Sequence, residues 1–541
     1  MISILSYLSN VKSNQRSFKK VNFSNSILVI LSLVFSLACN NAFSAQTYYE
    51  LEIIQPRAGL DTTNRFYKAY PGLLYEVRAA VIGGAYPFKY SLKTAPSGMS
   101  IDGNTGTISW ASPAASSTPY PVTLSVVDSK GTTKDVSWTV SVTTDKFMFV
   151  DPVNGKVGAS GTINDPVKGF YDVYGGNNYA AKYSTKNQGY FVYFKSGTYT
   201  LDGYTGGTQG VQYTNRQPLV WLAYPGQTPV IEMSKVALRL IDTAGDNFYV
   251  DGFDINTINT DAATEMRMGF RVGSLSSNVT FRKNKFHNLS ATSGSYNQSA
   301  IMIAHDAHGK YWSFQDNEFY DLYNAYGILG YSAQKVLIED NYFHDMSGGH
   351  PIGPKIATSF WFIRHNKIVN AKTEGIWIYG SGDGVSDTVY SDMEVSYNYV
   401  NVNGLALSVN QAYNNKLTNI NIFRNTFVGD VRFFNLNSNS VSYYVANNVF
   451  VNSLSKTTGY SLENSTPSIL GGLVKPLLSL VSVDSVSTLN LVDPLSSGST
   501  PTLIDSSGGL IGNYTRYIGA IGWQVSTENP PLAPRSPKLV H

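Results

Sequence analysis

Ile338-Glu339-Asp340-Asn341-Tyr342-Phe343 and Ile363-Arg364-His365-Asn366-Lys367-Ile368 are two copies of one short motif, and Phe314-Gln315-Asp316-Asn317-Glu318-Phe319 is an earlier copy. In this motif an apolar residue, two further residues and an Asn are followed by one more residue and by Phe, Ile or Val. The Asn recurs at positions 284, 317, 341, 366, 398, 425 and 448, at intervals of 33, 24, 25, 32, 27 and 23 residues. A strand-rich repeat of this length without helical periodicity predicts a solenoid.

The predicted solenoid is a parallel β-helix. Each coil would stack its strands on the next coil at ~4.8 Å, and the apolar residue after each Asn would point inward. The Asn is predicted to adopt a left-handed conformation at a tight bend and to form a ladder of side-chain amides along the stack. The longer intervals predict loops near 290–299 and 381–392. Loops on one side of a solenoid often form the wall of a binding groove.

The N-terminal segment has the pattern of a signal peptide. Basic residues precede the apolar run 27–38, and Ala42-Phe43-Ser44 is a small-x-small cleavage site. The apolar run is too short for a comfortable membrane span. We therefore predict that residues 1–44 are removed and that the protein is secreted to the periplasm or the exterior, with a lipid anchor at Cys39 as the alternative.

The charge balance excludes some partners. The 541-residue chain has 40 Lys and Arg and 37 Asp and Glu, and the segment 1–44 holds four of the basic residues and no acidic one. The mature chain thus has 36 basic and 37 acidic residues and a net charge of −1. No bulk positive charge remains to attract nucleic acid, so an anionic substrate must be held by local cations. Cys39 is the single cysteine, and its loss with the segment excludes disulfides.

Residues 47–145 are predicted to form a small β-sandwich, because short alternating segments are separated by turn residues at regular spacing. The stretch 96–110 passes from Met99 and Ile101 through an Asn-x-Gly turn to Trp110. This stretch and the strands 122–128 and 136–142 resemble bacterial cadherin-like or Ig-like modules. The resemblance implies a spacer or a carbohydrate-adjacent module.

Residues 146–524 are predicted to form the β-helix, and the Pro-rich residues 525–541 a C-terminal tail. Phe149-Val150-Asp151-Pro152, followed by 190–199, resembles the beginning of secreted proteins of the pectate-lyase superfamily. That resemblance implies an all-β fold, with a right-handed parallel β-helix after the sandwich.

Side chains that can take part in proton transfer stand at the ends of successive apolar strands. His305 lies 12 residues before Asn317, Tyr331 lies 10 before Asn341, and Lys355 lies 11 before Asn366. Tyr379 has a similar place one coil later. Residues in one such column on stacked coils would lie within ~5–10 Å of each other. His, Tyr and Lys are suited to proton abstraction and donation.

A family resemblance supports this column. The segments 338–343, 349–357 and 362–366 resemble the central coil of the alginate lyase and chondroitinase B family, and Lys355 matches the catalytic lysine of that family by position. The family's two calcium-binding Glu are absent, with His350 and Ile352 near their places, and Tyr379 stands where the family has a catalytic Arg. The resemblance implies a polyuronate-lyase-like groove without that calcium mechanism. We therefore expect no required cofactor, although calcium binding stays open.

A lyase of this kind must remove the proton α to a uronate carboxyl group and neutralise that carboxylate. Lys355 and Tyr331 are the predicted acid and base, and Tyr379 is an acid or a substrate contact. His305, His350 and Arg364 would hold the carboxylate. His305 with Asp306 could also form a general-base pair or part of a metal site, and Asp306 is a further substrate-binding candidate. The expected partner is an acidic polysaccharide, and the expected state is a monomer.

Each candidate has a plainer interpretation. Lys355 could be a solvated surface lysine, Tyr331 a packing residue, and Arg364 an outward charge. For the whole protein the alternatives are a β-helix glycoside hydrolase, which needs clustered carboxylates, a uronate epimerase, which also begins with α-proton removal, and a non-catalytic carbohydrate-binding adhesin. The discriminating question is whether His305, Tyr331 and Lys355 line one groove.

Overall fold

The computed structural model describes part of the chain, and Tyr49–His541 forms one compact unit. The described residues are 48–57, 64–174, 186–187, 189–201, 212–213, 219–233, 242–243, 246–256, 268–272, 276–290, 297–303, 309–380, 389–411, 416–434, 441–446, 449–451, 461–463 and 482–483. The predicted signal peptide and the predicted C-terminal tail lie outside these residues, as do His305 and Asp306. In the described part of the chain, no helix is long and apolar enough to cross a membrane.

The N-terminal strands form a sandwich, as the alternating segments predicted. They are β1 (Glu52–Gln55), β2 (Lys68–Ala69), β3 (Tyr75–Arg78), β4 (Ala80–Ile82), β5 (Lys89–Thr94), β6 (Met99–Ile101), β7 (Thr107–Trp110), β8 (Tyr120–Val127) and β9 (Thr133–Val142). Strands β2, β9, β8 and β5 form one sheet, and β3, β7 and β6 form another. Strand β2 pairs with β9 in parallel, and the other pairs of these two sheets are antiparallel. Inward residues such as Val77, Ile108 and Val140 are fully buried between the sheets.

The rest of the described chain is a solenoid of parallel strands with one short helix, α1 (Phe170–Tyr174). One face is an 11-stranded parallel sheet. Its strands are β10 (Phe147–Val150), β11 (Phe191–Phe194), β14 (Leu219–Ala223), β17 (Phe248–Asp251), β20 (Val279–Arg282), β23 (Lys310–Gln315), β26 (Gln334–Glu339), β29 (Ser359–Arg364), β32 (Val389–Ser396), β34 (Lys416–Phe423) and β36 (Val441–Ala446).

The other two faces belong to a continuous 19-stranded sheet. The strands of its first face are β12 (Gly197–Leu201), β15 (Pro229–Met233), β18 (Asp254–Asn256), β21 (Lys285–His287), β24 (Glu318–Tyr320), β27 (Tyr342–Met346), β30 (Lys367–Ala371) and β37 (Val449–Val451), with β39 (Ser482–Val483) paired to β37. Those of its second face are β13 (Gln212–Tyr213), β16 (Asp242–Thr243), β19 (Met268–Val272), β22 (Ser299–Ile303), β25 (Tyr326–Tyr331), β28 (Ile352–Lys355), β31 (Glu374–Gly380) and β38 (Ser461–Glu463). Two long strands, β33 (Tyr399–Gln411) and β35 (Thr426–Phe434), run through both faces.

The repeating Asn forms the predicted amide ladder. Each Nδ2 donates to the Oδ1 of the next Asn, at 2.9 Å from Asn317 to Asn341 and 3.0 Å from Asn341 to Asn366. The same Nδ2 also donates to a strand carbonyl, as Asn341 does to Phe314 O at 2.9 Å. The ladder runs through the buried Asn284, Asn317, Asn341, Asn366, Asn398 and Asn425. Asn448 lies outside the described residues.

The predicted conformation of the Asn is wrong by one residue. The left-handed residue is the one before it, as at Asp316 (φ 59°), Asp340 (φ 57°) and His365 (φ 55°). A positive φ there turns the chain at the corner, and the Asn that follows points its amide inward, where buried carbonyl groups need a donor.

The predicted inward column is confirmed. Phe286, Phe319, Phe343 and Ile368 are register partners on β21, β24, β27 and β30. The rings of Phe319 and Phe343 stack with centroids 4.6 Å apart. Because this column is fully buried, each aromatic side chain contributes roughly 2–3 kcal/mol of burial to the solenoid.

The sandwich packs on the outer face of the 11-stranded sheet. Ile54, Ala80 and Ile82 form an apolar cluster with Leu337 and Phe362 of the β-helix. Buried charges lie beside this cluster. The Arg78 guanidinium contacts Asp316, Glu339 and Asp340, and Arg282 donates to Glu76 at 2.6 Å. We refer to these residues of both domains as the sandwich interface.

Candidate functional site

Tyr331, Lys355 and Tyr379 form the predicted column. Tyr331 on β25 is the register partner of Lys355 on β28, and Lys355 is the partner of Tyr379 on β31. The next partner is Asn410 on β33. The spacing from the repeating Asn therefore predicted this alignment, although His305 lies outside the described residues.

Strand alternation places these side chains on the outside of the solenoid. Ile328, Ile352 and Ile376 point into the core, and residues of opposite parity such as Lys355 and Trp377 therefore point outward. Gly353 belongs to the outward set, and a Cβ atom there would lie 2.9 Å from Cε1 of Tyr326. The glycine leaves room for the Tyr326 ring to lie over the strand.

The ammonium group of Lys355 lies among aromatic rings. Its Nζ lies 4.9 Å from the ring centroid of Trp377, 5.0 Å from that of Tyr326, 5.6 Å from that of Tyr379 and 6.0 Å from that of Tyr331. At these distances the negative ring faces stabilise a cation. The residue is only 6% exposed, so the ammonium can reach a ligand only at its edge.

A hydrogen bond also contributes to this environment. Lys355 Nζ donates to Asn297 Oδ1 at 2.8 Å. Asn297 precedes β22, and the backbone carbonyl group of its neighbour Gln298 accepts a hydrogen bond from the backbone N–H of Tyr326 at 2.8 Å. This bond holds Gln298 against β25. We call Lys355, Asn297, Tyr326, Tyr331, Trp377 and Tyr379 the lysine cage.

His350 and Glu374 adjoin the lysine cage. His350 Nδ1 lies 2.9 Å from Glu374 Oε2. The imidazole stacks on Trp377 with ring centroids 4.2 Å apart, and Trp377 in turn stacks on Tyr379 at 4.3 Å. The contacts thus join an ammonium, an imidazole, a carboxylate, an indole and three phenols in one cluster.

Two glycines bring His350 to this position. Gly349 has a φ of 74°, and a Cβ atom there would lie 2.1 Å from Ala325 O. Gly349 O accepts a hydrogen bond from Thr373 Oγ1 at 2.7 Å, and His350 O accepts one from Gly327 N at 3.1 Å. The coils on both sides therefore hold the backbone of His350.

The burial of Tyr331 favours its packing interpretation over its predicted acid/base role. The residue is 0% exposed and packs with Met302, Leu329 and Ile356. A side chain without exposed surface cannot touch a polymer in this conformation, so the plainer packing interpretation fits Tyr331. Trp377 and Tyr379 are only half-buried and are the rings of the cage that a ligand can reach.

Arg364, a predicted substrate contact, lies on a different sheet from the lysine cage. It ends β29 in the 11-stranded sheet, where it is 0% exposed. Its Nε donates to Glu339 Oε1 at 2.8 Å, and Nη2 donates to Val81 O of the sandwich. Burial works against its charge, but Glu339 keeps the pKa of Arg364 above its ordinary value. The residue helps to hold the two domains together.

Sequence reasoning missed four members of the cluster, Asn297, Tyr326, Trp377 and Glu374. Trp377 could have been found, because it precedes Tyr379 by two residues on an alternating strand and shares its face. Asn297 lies on a loop, so no strand periodicity places it. In the described part of the chain, His, Cys, Asp and Glu side chains form no group of three that could hold a metal ion.

Two family models match the sequence. Residues 60–143 match the model "Putative Ig domain", and residues 238–388 and 272–450 match the model "Right handed beta helix region". No curated protein matches the sequence significantly.

Some solved structures are similar to this one. A mutant of the periplasmic alginate epimerase AlgG is 12% identical over 52% of this chain and 66% of its own, with a TM-score of 0.29. The GH136 lacto-N-biosidase from Eubacterium ramulus is 11% identical over 53% of this chain and 64% of its own, with a TM-score of 0.24. The matches thus span just under two thirds of those chains, and likeness at this level says nothing about activity. The family models and the strand topology together identify the chain as an Ig-like β-sandwich followed by a right-handed parallel β-helix.

Proposed function

We propose that this protein is a secreted polysaccharide lyase that cleaves a uronate-containing polysaccharide by β-elimination at the lysine cage. The observation that supports this best is the ammonium of Lys355 held among Trp377, Tyr379 and Asn297. A fixed cation beside half-buried aromatic rings fits a sugar that carries both an apolar ring face and a carboxylate.

The cation has a defined task in such a reaction. Loss of the α-proton places negative charge on the uronate carboxylate, and a pre-placed ammonium group stabilises that charge in the transition state. The carboxylate would replace Asn297 Oδ1 as the acceptor of Lys355 Nζ. A charge-assisted hydrogen bond of this kind is stronger than the amide contact that it replaces.

The aromatic rings supply binding and a proton donor. Trp377 and Tyr379 offer apolar contact area beside the cation, and the phenol of Tyr379 can protonate the leaving oxygen. Tyr331 and Tyr326 form the buried wall behind them. The proposal includes a monomeric state, and it includes secretion in accord with the signal-peptide pattern.

The test is the ultraviolet absorbance of purified protein incubated with polygalacturonate, alginate and glycosaminoglycans. Elimination creates a C4–C5 double bond conjugated to the carboxyl group, and absorbance near its band should grow. Lys355→Ala should lower kcat/KM by roughly 100-fold or more, as expected for loss of one preorganised charge-stabilising group. The matched control is Lys335→Ala, because Lys335 also lies over a tyrosine ring but is paired with Glu52 in the sandwich interface. It should retain wild-type activity.

Three results would contradict the proposal. New reducing ends without absorbance would indicate a hydrolase. Solvent deuterium entering the polymer without chain cleavage would indicate an epimerase. Binding without any chemical change would leave the adhesin interpretation.

A further inference from the structure

The side chains of His350 and Glu374 form a close imidazole–carboxylate pair beside the lysine cage. Nδ1 of His350 and Oε2 of Glu374 are 2.9 Å apart. The side chains are 17% and 18% exposed, respectively, so both are largely shielded from water but not sealed. Neither atom makes a regular hydrogen bond among the described residues, and such contacts in unliganded sites often tighten only when substrate binds.

Two aromatic rings contact the imidazole ring. Trp377 lies at 4.2 Å with an interplanar angle of 27°, and Tyr326 lies at 4.8 Å with an angle of 45°. The same two rings contact Lys355 Nζ. The pair and the cation therefore share their supporting side chains, and a sugar carboxylate held by Lys355 would bring the adjacent C–H group close to the imidazole.

We infer that His350 takes the α-proton and that Glu374 is the positioning residue for His350; this inference rests on the proposed lyase function. A carboxylate at Nδ1 holds the proton on that nitrogen and leaves the lone pair on Nε2. It also stabilises the imidazolium that forms when Nε2 accepts a proton. Among the residues that the structure describes, the other titratable groups around the ring are Tyr326 on β25 and, across Trp377, Lys355 and Tyr379.

The step balances without any further reactant. Nε2 of His350 accepts the proton from C5 of the uronate, and the C–H electron pair becomes the C4=C5 double bond. The C4–O4 bond breaks, and O4 accepts a proton from the Tyr379 hydroxyl group. Water then returns the proton from His350 to the Tyr379 phenolate.

A second histidine shows what a purely structural pair looks like in this fold. His344 Nε2 lies 3.2 Å from Glu318 Oε1, and its Nδ1 lies 2.7 Å from Asp345 Oδ2. Burial disfavours the charged ring, but its hydrogen bonds to Glu318 and Asp345 raise the pKa of His344. Carboxylates at both nitrogens favour the imidazolium form, which cannot accept a proton. Glu318→Gln is therefore the matched control for Glu374→Gln.

The experiment measures the pH profile of kcat/KM for wild type, Glu374→Gln and Glu318→Gln. Glu374→Gln should lower kcat by roughly 100- to 10,000-fold with little change in KM, as when the carboxylate partner of a catalytic histidine is neutralised. The acidic limb of the profile should move to lower pH, because the imidazolium loses its counter-charge. Glu374→Asp should recover part of the rate. Glu318→Gln should leave both rate and profile unchanged.

A nuclear magnetic resonance readout separates this inference from the lyase proposal. Nitrogen chemical shifts should show the Nδ1–H tautomer of the neutral His350 ring in wild type and a mixture in Glu374→Gln, whether or not a substrate is turned over. An active wild type whose rate and pH profile survive Glu374→Gln would overturn the inference alone. Failure of the wild type to eliminate any polymer would overturn the lyase proposal, and an unchanged tautomer in Glu374→Gln would overturn the positioning role as well.

Discussion

The lysine cage and the sandwich interface both hold cations on the outside of the β-helix, but they surround them differently. Lys355 lies among four aromatic rings and donates to an amide oxygen. Arg78 lies against three carboxylates, those of Asp316, Glu339 and Asp340. Lys355 belongs to the 19-stranded sheet of the solenoid, whereas Arg78 belongs to the sandwich and contacts Glu339 of the 11-stranded sheet.

The partners determine what each cation can do. Ring faces and amide oxygens stabilise an ammonium group through partial charges rather than through a full opposite charge. Carboxylates neutralise a guanidinium group, and a buried pair of that kind is costly to break. The pKa of the Asp340 carboxyl group shows this coupling: burial opposes its charge, but Arg78 and His365 hold the pKa well below its ordinary value. The lysine cage therefore suits recognition of an anionic ligand, and the sandwich interface suits attachment of the sandwich to the β-helix.

The largest predicted effect on stability is that of Arg78→Ala. This change leaves Asp316, Glu339 and Asp340 without their shared counter-charge at a buried position, so the free energy of unfolding should fall by about 3–5 kcal/mol. Denaturant titration measures the loss, and limited proteolysis reports whether the sandwich detaches. Lys93→Ala is the control, because its pair with Asp135 is about half exposed and should contribute under about 0.5 kcal/mol. Equal effects of the two substitutions would contradict the distinction between the regions.

A pH-dependent effect of intermediate size on the free energy of unfolding is predicted for Glu394, a buried residue on β32. Burial raises the pKa of Glu394 to about 7 from its ordinary 4.5, against the lowering effects of Arg364 and Ser396. Tyr49 and Glu339 carry the other titratable groups nearby. Because the native state holds this proton more tightly than the unfolded state, wild-type stability should fall as pH rises from about 4.5 to about 7.

Glu394→Gln removes that titration, because the amide resembles the protonated acid in shape and charge. Between pH 4 and pH 8 the variant should gain up to about 3 kcal/mol in unfolding free energy relative to wild type. Thermal or denaturant unfolding at several pH values measures the difference. Parallel stability profiles of the two proteins would contradict this prediction, because they would show that Glu394 has the same pKa in the native and unfolded states.

The smallest predicted effect comes from giving Lys355 a carboxylate partner, like the carboxylate partners of Arg78 in the sandwich interface. Asn297→Asp places a carboxylate 2.8 Å from Lys355 Nζ, which should weaken binding of an acidic oligosaccharide about tenfold, or ~1.4 kcal/mol. Binding of a neutral oligosaccharide should change little, and calorimetry measures both. Asn104→Asp is the control, because Asn104 also accepts from a lysine, Lys89, but on the exposed surface of the sandwich. Tighter binding of the acidic ligand in Asn297→Asp would contradict the proposed role of the Lys355 charge.

Sequence reasoning predicted the repeating fold and the alignment of Tyr331, Lys355 and Tyr379, because the distance from a periodic Asn fixes the position along a strand. It did not predict the depth of burial of Tyr331, which depends on side chains of neighbouring coils. It also did not predict that the sandwich covers Arg364. The sequence pattern of an outward side chain on a solenoid is the same whether that side chain contacts solvent, substrate or a second domain.

The sequence by itself determined the solenoid, the inward aromatic column and the Asn ladder, since each follows from a local period repeated along the chain. Only the tertiary structure decided which outward column is covered by the sandwich and which remains beside a half-buried ring cluster. The physical reason is that coverage depends on contacts between residues far apart in sequence, such as Arg78 with Asp340 or Lys355 with Asn297. No local period encodes such contacts.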